Sequence, residues 1–212
     1  QRLETFTEYT LRMSNPFIEF LRPHKTVPKT PWTAKSRWDL SLPRICVLFF
    51  GLFIFGLGDS LLIQSTIGNA PWSVLAQGVS GKLDITMGWS TFAISTLVLL
   101  LWIPLKEKPG FGTLSNITII AAAIQLGVSI FPPQSNFFIA VTYCLIGIAM
   151  VGFGSALYIT CGLGPGPRDG LMTAIHNRSG IRIGWVRLAI EGSVLVAGWL
   201  LGGTVGLGTL LF

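Results

Sequence analysis

The sequence contains few charged residues. Of its 212 residues, only 11% are Asp, Glu, Lys or Arg, while 50% are apolar, and the mean hydropathy is +0.64. Soluble domains carry roughly 25% charged residues, so this composition excludes an ordinary soluble protein. It predicts an all-α polytopic membrane protein whose helices contact the lipid bilayer.

Cysteine and histidine are also scarce, which argues against metal and redox chemistry. The three cysteines (Cys46, Cys144 and Cys161) lie in or beside apolar segments at no ligand spacing, and the two histidines (His24 and His176) stand alone. We therefore expect no disulfide framework, no metal site and no cofactor. The sequence also lacks a nucleophile elbow and a Ser/His/Asp set, so we expect no catalytic residues and no enzymatic activity.

The formal net charge of +6 does not indicate a nucleic-acid partner. The basic residues flank apolar runs and do not form a basic face interleaved with stacking aromatics, which is the usual pattern of nucleic-acid binding. We expect no nucleic acid among the partners.

The apolar chain is interrupted twice by a short segment rich in glycine and proline. The first interruption covers residues 64–73, and the second covers residues 160–169, which lie 96 positions further along. Glycine tolerates positive φ and close helix approach, and proline lacks the backbone N–H, so such segments mark points where the backbone leaves a helix. We expect the helix breaks to depend on Gly68, Pro71, Gly164, Pro165, Gly166 and Pro167.

The two interruptions belong to a longer internal repeat. Residues 51–116 align with residues 147–212 without a gap, and twenty of the sixty-six pairs are identical, several of them Gly, Pro or Trp. Matching residues of these types indicate a common backbone path. We therefore divide the chain into a peripheral extension at 1–43, a first membrane repeat at 44–136 and a truncated second repeat at 137–212.

Apolar runs of about 20 residues predict the membrane spans. They lie at 44–66, 88–105, 113–131, 137–161 and 184–201. Two helices too short to cross follow the interruptions, at 71–81, where Asn69 is a candidate cap, and at 165–179. The third span of the first repeat has no counterpart before Phe212, so we expect the last span of the second repeat to be missing from this chain.

An odd number of spans per repeat predicts that the two repeats have opposite orientations in the membrane. With the N-terminus in the cytoplasm, fourteen of the fifteen Lys and Arg residues fall on or near the cytoplasmic side, Lys82 being the exception. This distribution agrees with the positive-inside rule and favours an inverted repeat.

Three segments of the second repeat and one of the first resemble a known family. They are residues 162–172 (GLGPGPRDGLM), 184–191 (GWVRLAIE), 198–209 (GWLLGGTVGLGT) and 61–78. Over about residues 38–212 the chain resembles the bacterial YczE/YyaS/YitT integral membrane proteins. The resemblance implies a small multi-pass protein of the bacterial cytoplasmic (inner) membrane without an established substrate. The chain departs from the family at Ser73, where members commonly have an acidic residue, and in its long extension.

Five charged residues are the candidate site. Asp59, Arg187 and Glu191 lie within spans, where a charge is costly, and Arg168 and Asp169 lie in the first turn of the second short helix. Arg187 and Glu191 are four positions apart, a spacing at which they can pair. Two interpretations stay open: a polar path or ion-coupling site for substrate, or an ion-pair network that holds the second repeat together.

The functional expectation follows from the paired interruptions. In inverted-repeat transporters such breaks form the substrate site, because helix N-termini and freed carbonyls can face a solute or ion there. We expect a transporter of a small solute or ion. The alternative is a non-transporting accessory or scaffold subunit of a larger membrane complex, with residues 1–43 as its docking segment. The short helices have a separate alternative, in which they lie flat at opposite membrane surfaces and only connect spans.

Overall fold

The computed structural model describes residues 29–212, and every regular element in this range is an α-helix. Most of the predicted extension, residues 1–28, lies outside the described residues. The helices are α1 (Leu42–Ser65), α2 (Pro71–Leu83), α3 (Met87–Leu100), α4 (Phe111–Ile130), α5 (Phe137–Thr160), α6 (Pro167–Ser179), α7 (Ile183–Leu200) and α8 (Leu207–Leu211). The predicted all-α membrane fold is confirmed.

Within residues 29–212, four helices are long and apolar enough to cross a membrane. They are α1, α4, α5 and α7, with 18 to 24 residues each, and α2 with α3 forms a pair bent by 116° that could count as a fifth span. The predicted span at 88–105 is shorter than expected, because α3 ends at Leu100. Pro104 explains the early end, since proline cannot continue a helix and disfavours helical geometry in the residue before it.

The two longest helices, α1 and α5, pack closely through glycines. A Cβ atom added at Gly58 would lie 2.8 Å from the carbonyl oxygen of Gly147, and one added at Gly154 would lie 2.5 Å from that of Gly51. Gly51, the earlier glycine of α1, meets the later glycine of α5, and Gly58 meets the earlier one. The two helices therefore run antiparallel. Small residues at such a crossing let the backbones approach.

Helix α4 packs against α1 and α3, again at glycines. A Cβ atom added at Gly56 would lie 2.5 Å from Cβ of Ala123, and one at Gly88 would lie 2.7 Å from Cβ of Gln125. Gly152, which is the repeat counterpart of Gly56, has no atom within 4 Å of an added Cβ among the described residues. Among the described residues, Gly152 therefore serves no close approach of helices. The same holds for Gly202, whose positive φ of 100° instead serves the turn after α7.

Each interruption is joined to the start of a helix in the other half of the chain. The backbone N–H of Gly112 donates to the carbonyl of Leu163 at 2.9 Å, and the N–H of Gly208 donates to the carbonyl of Ile67, also at 2.9 Å. Gly208 and Ile67 are the repeat counterparts of Gly112 and Leu163. The two bonds are therefore equivalent, with donor and acceptor in opposite repeats. Both loops need glycine, since Gly68 and Gly164 have φ angles of 126° and 115°.

The short helices begin with proline, though one expected cap is absent. Helix α2 begins at Pro71 as predicted, whereas α6 begins at Pro167 and not at 165. Asn69 does not cap α2: Ala70 holds the cap position, and the Asn69 amide donates to Oε1 of Gln77 at 2.8 Å. Proline at the first position already removes one of the N–H groups that a cap would satisfy, so the Asn69 side chain can serve the loop.

Residues 29–41 form a strap over the second interruption. The Trp32 indole N–H donates to Oγ1 of Thr160 at 3.1 Å, and the Ala34 N–H donates to the carbonyl of Cys161 at 2.8 Å. Arg44 secures the strap from the start of α1 through an ion pair with Asp39, 2.8 Å between Nη1 and Oδ1. The strap thus joins the extension to the end of α5.

Candidate functional site

A cavity of about 260 Å³ lies where the N-terminal ends of α2 and α6 meet. The fold brings all five charged residues proposed from the sequence to its wall: Asp59, Arg168, Asp169, Arg187 and Glu191. Of the residues expected to break the helices, Pro71 and Gly166 also line it. Of the others, Gly68, Gly164 and Pro165 lie in the loops that position the two short helices, and Pro167 is the first residue of α6.

Asp59 is the most deeply buried charged residue of the cavity, with 2% of its surface exposed. The hydroxyl of Ser73, in the first turn of α2, lies 2.8 Å from one of its carboxylate oxygens and 2.7 Å from the other. A buried carboxylate needs such a donor, because burial without one is costly. Sequence reasoning singled out Ser73 only as a departure from the family pattern, and did not pair it with Asp59.

Arg168 and Trp72 meet across the cavity. The guanidinium carbon of Arg168 lies 5.1 Å from the centroid of the Trp72 ring, in cation–π range. Within residues 29–212 the Arg168 side chain makes no hydrogen bond, and it has no ion pair within 4.0 Å. The Trp72 side chain is nearly buried, at 6% exposure, and its indole Nε1 likewise has no partner there.

Asp169 is held by a tyrosine from another helix. The hydroxyl of Tyr158, near the end of α5, donates to Oδ2 of Asp169. Tyr158 is 3% exposed, whereas Asp169 lies toward the open side of the cavity. Sequence reasoning missed Tyr158; its only signal was a phenol, one of two in an apolar span, just before the second interruption.

Arg187 and Glu191 form the pair that their spacing predicts, with 3.0 Å between Nε and Oε1. The Arg187 side chain is 61% exposed and that of Glu191 is 25% exposed, so the pair borders the open side of the cavity. Arg168 and Asp169 do not join it at ion-pair distance. Among the described residues, the ion-pair network predicted to hold the second repeat together therefore consists of this single pair.

The polar residues of the wall alternate between the two halves of the chain. Asp59 of α1 is bonded to Ser73 of α2, and their counterparts 96 positions later are Ser155 of α5 and Asp169 of α6, which both line the cavity. At these four positions each half supplies one carboxylate and one hydroxyl, with the two exchanged, and Glu191 adds a further carboxylate from the second half. The described residues hold no group of three or more His, Cys, Asp or Glu suited to a metal ion. The arrangement can bind a small polar or charged solute.

Three curated proteins resemble this chain. An uncharacterised protein of Haemophilus influenzae is 47% identical over 188 residues, covering 89% of this chain and 86% of the relative. The uncharacterised membrane protein YczE of Bacillus subtilis is 32% identical over 165 residues, 77% of each chain. The uncharacterised protein YyaS of the same organism is 30% identical over 167 residues, 76% of this chain and 82% of the relative. No solved structure gives a significant match.

The family match covers the whole membrane part of the chain. The model of a family of unknown function, DUF6198, matches residues 42–212, from the start of α1 to the last residue. Together with the identity to YczE and YyaS, this agrees with the resemblance seen in the sequence. The chain is a multi-pass membrane protein and belongs to the DUF6198 family of YczE-like membrane proteins.

Proposed function

We propose that this protein transports a small solute or ion through the cavity between α2 and α6. The observation that carries the proposal is the convergence of five charged side chains, from both halves of the chain, on one cavity bordered by two helix N-termini. Charged residues inside membrane proteins are costly and mark transport paths in many of them. Broken helices at corresponding positions of two repeats are typical of substrate sites.

We further infer that the two repeats are inverted, with the N-terminus in the cytoplasm of a bacterial inner membrane. The antiparallel packing of α1 against α5 supports this, because these helices begin the two repeats. The exchanged hydrogen bonds at Leu163 and Ile67 support it as well. Inversion lets the same cavity open toward either side of the membrane as the halves move.

Cysteine labelling tests the orientation. In a variant whose three native cysteines are replaced, a single cysteine at Lys82 should react with an impermeant maleimide added outside intact cells. A cysteine at Ser179, near the corresponding end of α6, should react only after the membrane is opened. Labelling of both from the same side would refute the inversion.

Solute uptake into proteoliposomes tests transport. Vesicles are given radiolabelled chloride, benzoate, glycine or choline in turn, and the solute retained inside them is measured after filtration. We expect one class to enter vesicles that hold the unmodified protein, to be excluded when Asp59→Asn or Arg168→Gln is used, and to enter with Arg182→Gln, an exposed position outside the cavity. Uptake insensitive to both cavity variants would refute the proposed path.

The rival function is an accessory subunit of a membrane complex, and one observation favours it. Only 11% of the apolar window of α7 is buried, compared with 50% for α1, and Trp185, Trp199 and Leu200 are each more than 60% exposed. A partner helix could cover this face. Purification in mild detergent separates the two functions: a protein that co-purifies in fixed stoichiometry supports the subunit, and a chain that elutes alone counts against it.

A further inference from the structure

Some hydrogen-bonding groups of the cavity wall have partners among the described residues, and others have none. Each carboxylate has a donor: Asp59 has Ser73, Asp169 has Tyr158 and Glu191 has Arg187. In contrast, the guanidinium of Arg168 and the indole N–H of Trp72 have no acceptor within residues 29–212. Buried polar groups normally find partners, so the groups left over indicate what a ligand must supply. The cationic and indole groups left over are donors, and the neutral side chains of Ser95, Asn116 and Ser155 on the same wall can donate as well as accept, so the ligand must supply acceptors.

The backbone around these two donors points to the same class of ligand. Trp72 is the second residue of α2 and Arg168 the second residue of α6, so the N-terminal ends of both helices face the cavity. A helix N-terminus carries a partial positive charge and attracts anions. Both helices have 13 residues, enough for this effect.

The size of the cavity and the apolar part of its wall narrow the class of ligand further. The volume of about 260 Å³ is near the lower end of the range for small-molecule sites, roughly 300–1,000 Å³, so the ligand must be small. Phe55, Val151 and Met172 also line the cavity. An anion with a compact apolar body, such as a small organic carboxylate, matches both parts of the wall. Arginine binds a carboxylate in a bidentate manner, which suits Arg168.

The charge balance favours a proton that accompanies this anion. Asp59, Asp169 and Glu191 against Arg168 and Arg187 leave the wall with one formal negative charge, and an anion would add a second. An uncompensated charge within a membrane protein is expensive. Asp59 is the best acceptor for the proton, because it is 2% exposed and its bonded neighbour is the neutral hydroxyl of Ser73. Glu191 has Arg187 beside it, and Asp169 is exposed.

Building on the proposed function, we propose that the cavity binds a small organic carboxylate beside the Arg168 and Trp72 pair, together with one proton on the carboxylate of Asp59. The proton comes from the aqueous phase from which the anion enters and leaves with it on the other side. The two charges cancel, so the pair crosses without net charge transfer through Asp59. Arg168, Asp169, Glu191 and Tyr158 remain in place as the surrounding groups.

Calorimetry on the full chain in phosphatidylcholine nanodiscs tests the site. Sodium benzoate is the probe, and titrations in HEPES and in Tris measure the protons taken up. We expect about one proton per benzoate, and weaker binding of benzylamine, the matched cation. Arg168→Gln should weaken benzoate binding at least about tenfold, and Arg182→Gln should leave it unchanged. Tighter binding of benzylamine, or unchanged affinity in Arg168→Gln, would overturn the anion site.

Three further variants show whether a loss of binding reflects misfolding. They also separate anion binding at Arg168 from proton uptake at Asp59. Arg168→Lys keeps the charge but loses the bidentate geometry, so an intermediate affinity is expected. Trp72→Phe keeps an aromatic ring but removes the five-membered ring that carries the indole N–H, and should weaken benzoate a few-fold, about the effect of one hydrogen bond. Asp59→Asn should bind benzoate without proton uptake. Proton uptake that persists in Asp59→Asn would refute the role of Asp59.

The outcome also distinguishes this inference from the transport function. If benzoate binds as expected but no solute crosses in proteoliposomes, the site stands and transport fails. If a cation is carried and Arg168→Gln leaves that flux unchanged, transport stands and the carboxylate site fails.

Discussion

The guanidinium of Arg168 lies 5.1 Å from the centre of the Trp72 ring, and the two residues are counterparts, 96 positions apart in the internal repeat. A contact between a residue and its own counterpart lies where the two halves of the chain meet. The cavity forms at this point. Around it, Asp59 and Asp169 are each held by a hydroxyl from a different helix.

The contact between Arg168 and Trp72 should contribute measurably to stability. In a double-mutant cycle of Arg168→Gln and Trp72→Leu, we expect a coupling of about 1–2 kcal/mol, the value for a partly desolvated cation–π pair. Chemical unfolding in detergent, followed by circular dichroism, measures it. Additive effects of the two substitutions would show that the ring and the cation do not interact.

Ser73→Ala should destabilise the fold by about 1–3 kcal/mol, because it leaves the buried carboxylate of Asp59 without its donor. Ser155→Ala is the matched control: Ser155 is the repeat counterpart of Asp59 and lines the same cavity, yet it bonds to neither carboxylate. Its cost should stay within about 0.5 kcal/mol. Equal losses in the two variants would contradict the assigned bond. Thermal unfolding of both proteins in the same detergent provides the comparison.

Gly56→Ala and Gly152→Ala should have opposite effects, although the two glycines are repeat counterparts. The added methyl group would lie 2.5 Å from Cβ of Ala123 at the first position and would meet nothing within 4 Å at the second. We expect Gly56→Ala to cost about 1–3 kcal/mol through overpacking. Gly152→Ala should be neutral or stabilising by up to about 1 kcal/mol, the difference in helix propensity. A similar loss at both positions would show that another segment packs against α5 at Gly152.

The strap formed by residues 29–41 should loosen when Asp39 loses its charge. The backbone N–H of Lys35 donates to Asp39 at 3.0 Å and holds the pKa of that carboxyl below its ordinary 3.8, with Arg44 acting in the same direction. Because the folded pKa is the lower one, this contribution is present above about pH 3.8 and disappears as the pH falls through the folded value.

Hydrogen exchange of the Ala34 amide, which donates to Cys161, reports on the strap. In Asp39→Asn at neutral pH we expect its protection factor to fall a few-fold, about the effect of a surface ion pair. Lys35→Ala keeps the backbone donor and should leave the protection unchanged. If Lys35→Ala lowers the protection as much as Asp39→Asn, the strap depends on side-chain charge at position 35 and the assignment is wrong.

Local chemistry made much of the fold predictable. The Arg187/Glu191 pair follows from a spacing of four within one helix, and the two interruptions follow from residues that cannot continue a helix. Errors arose where a local rule competed with a distant contact. Asn69 has the chemistry of a helix cap, but its amide is taken by Gln77. Gly152 is the repeat counterpart of Gly56, which packs tightly against α4, yet none of the described residues lies against Gly152.

The sequence by itself determined the class of protein, the helices and the positions of their breaks, because apolar run length, glycine and proline act over a few neighbouring residues. It also indicated which charged residues are costly in a membrane. Only the tertiary structure decided that Ser73 faces Asp59, that Tyr158 faces Asp169 and that Trp72 meets Arg168. Those pairings depend on how the helices pack, and that packing arises from contacts between segments far apart in the chain, which no local pattern encodes.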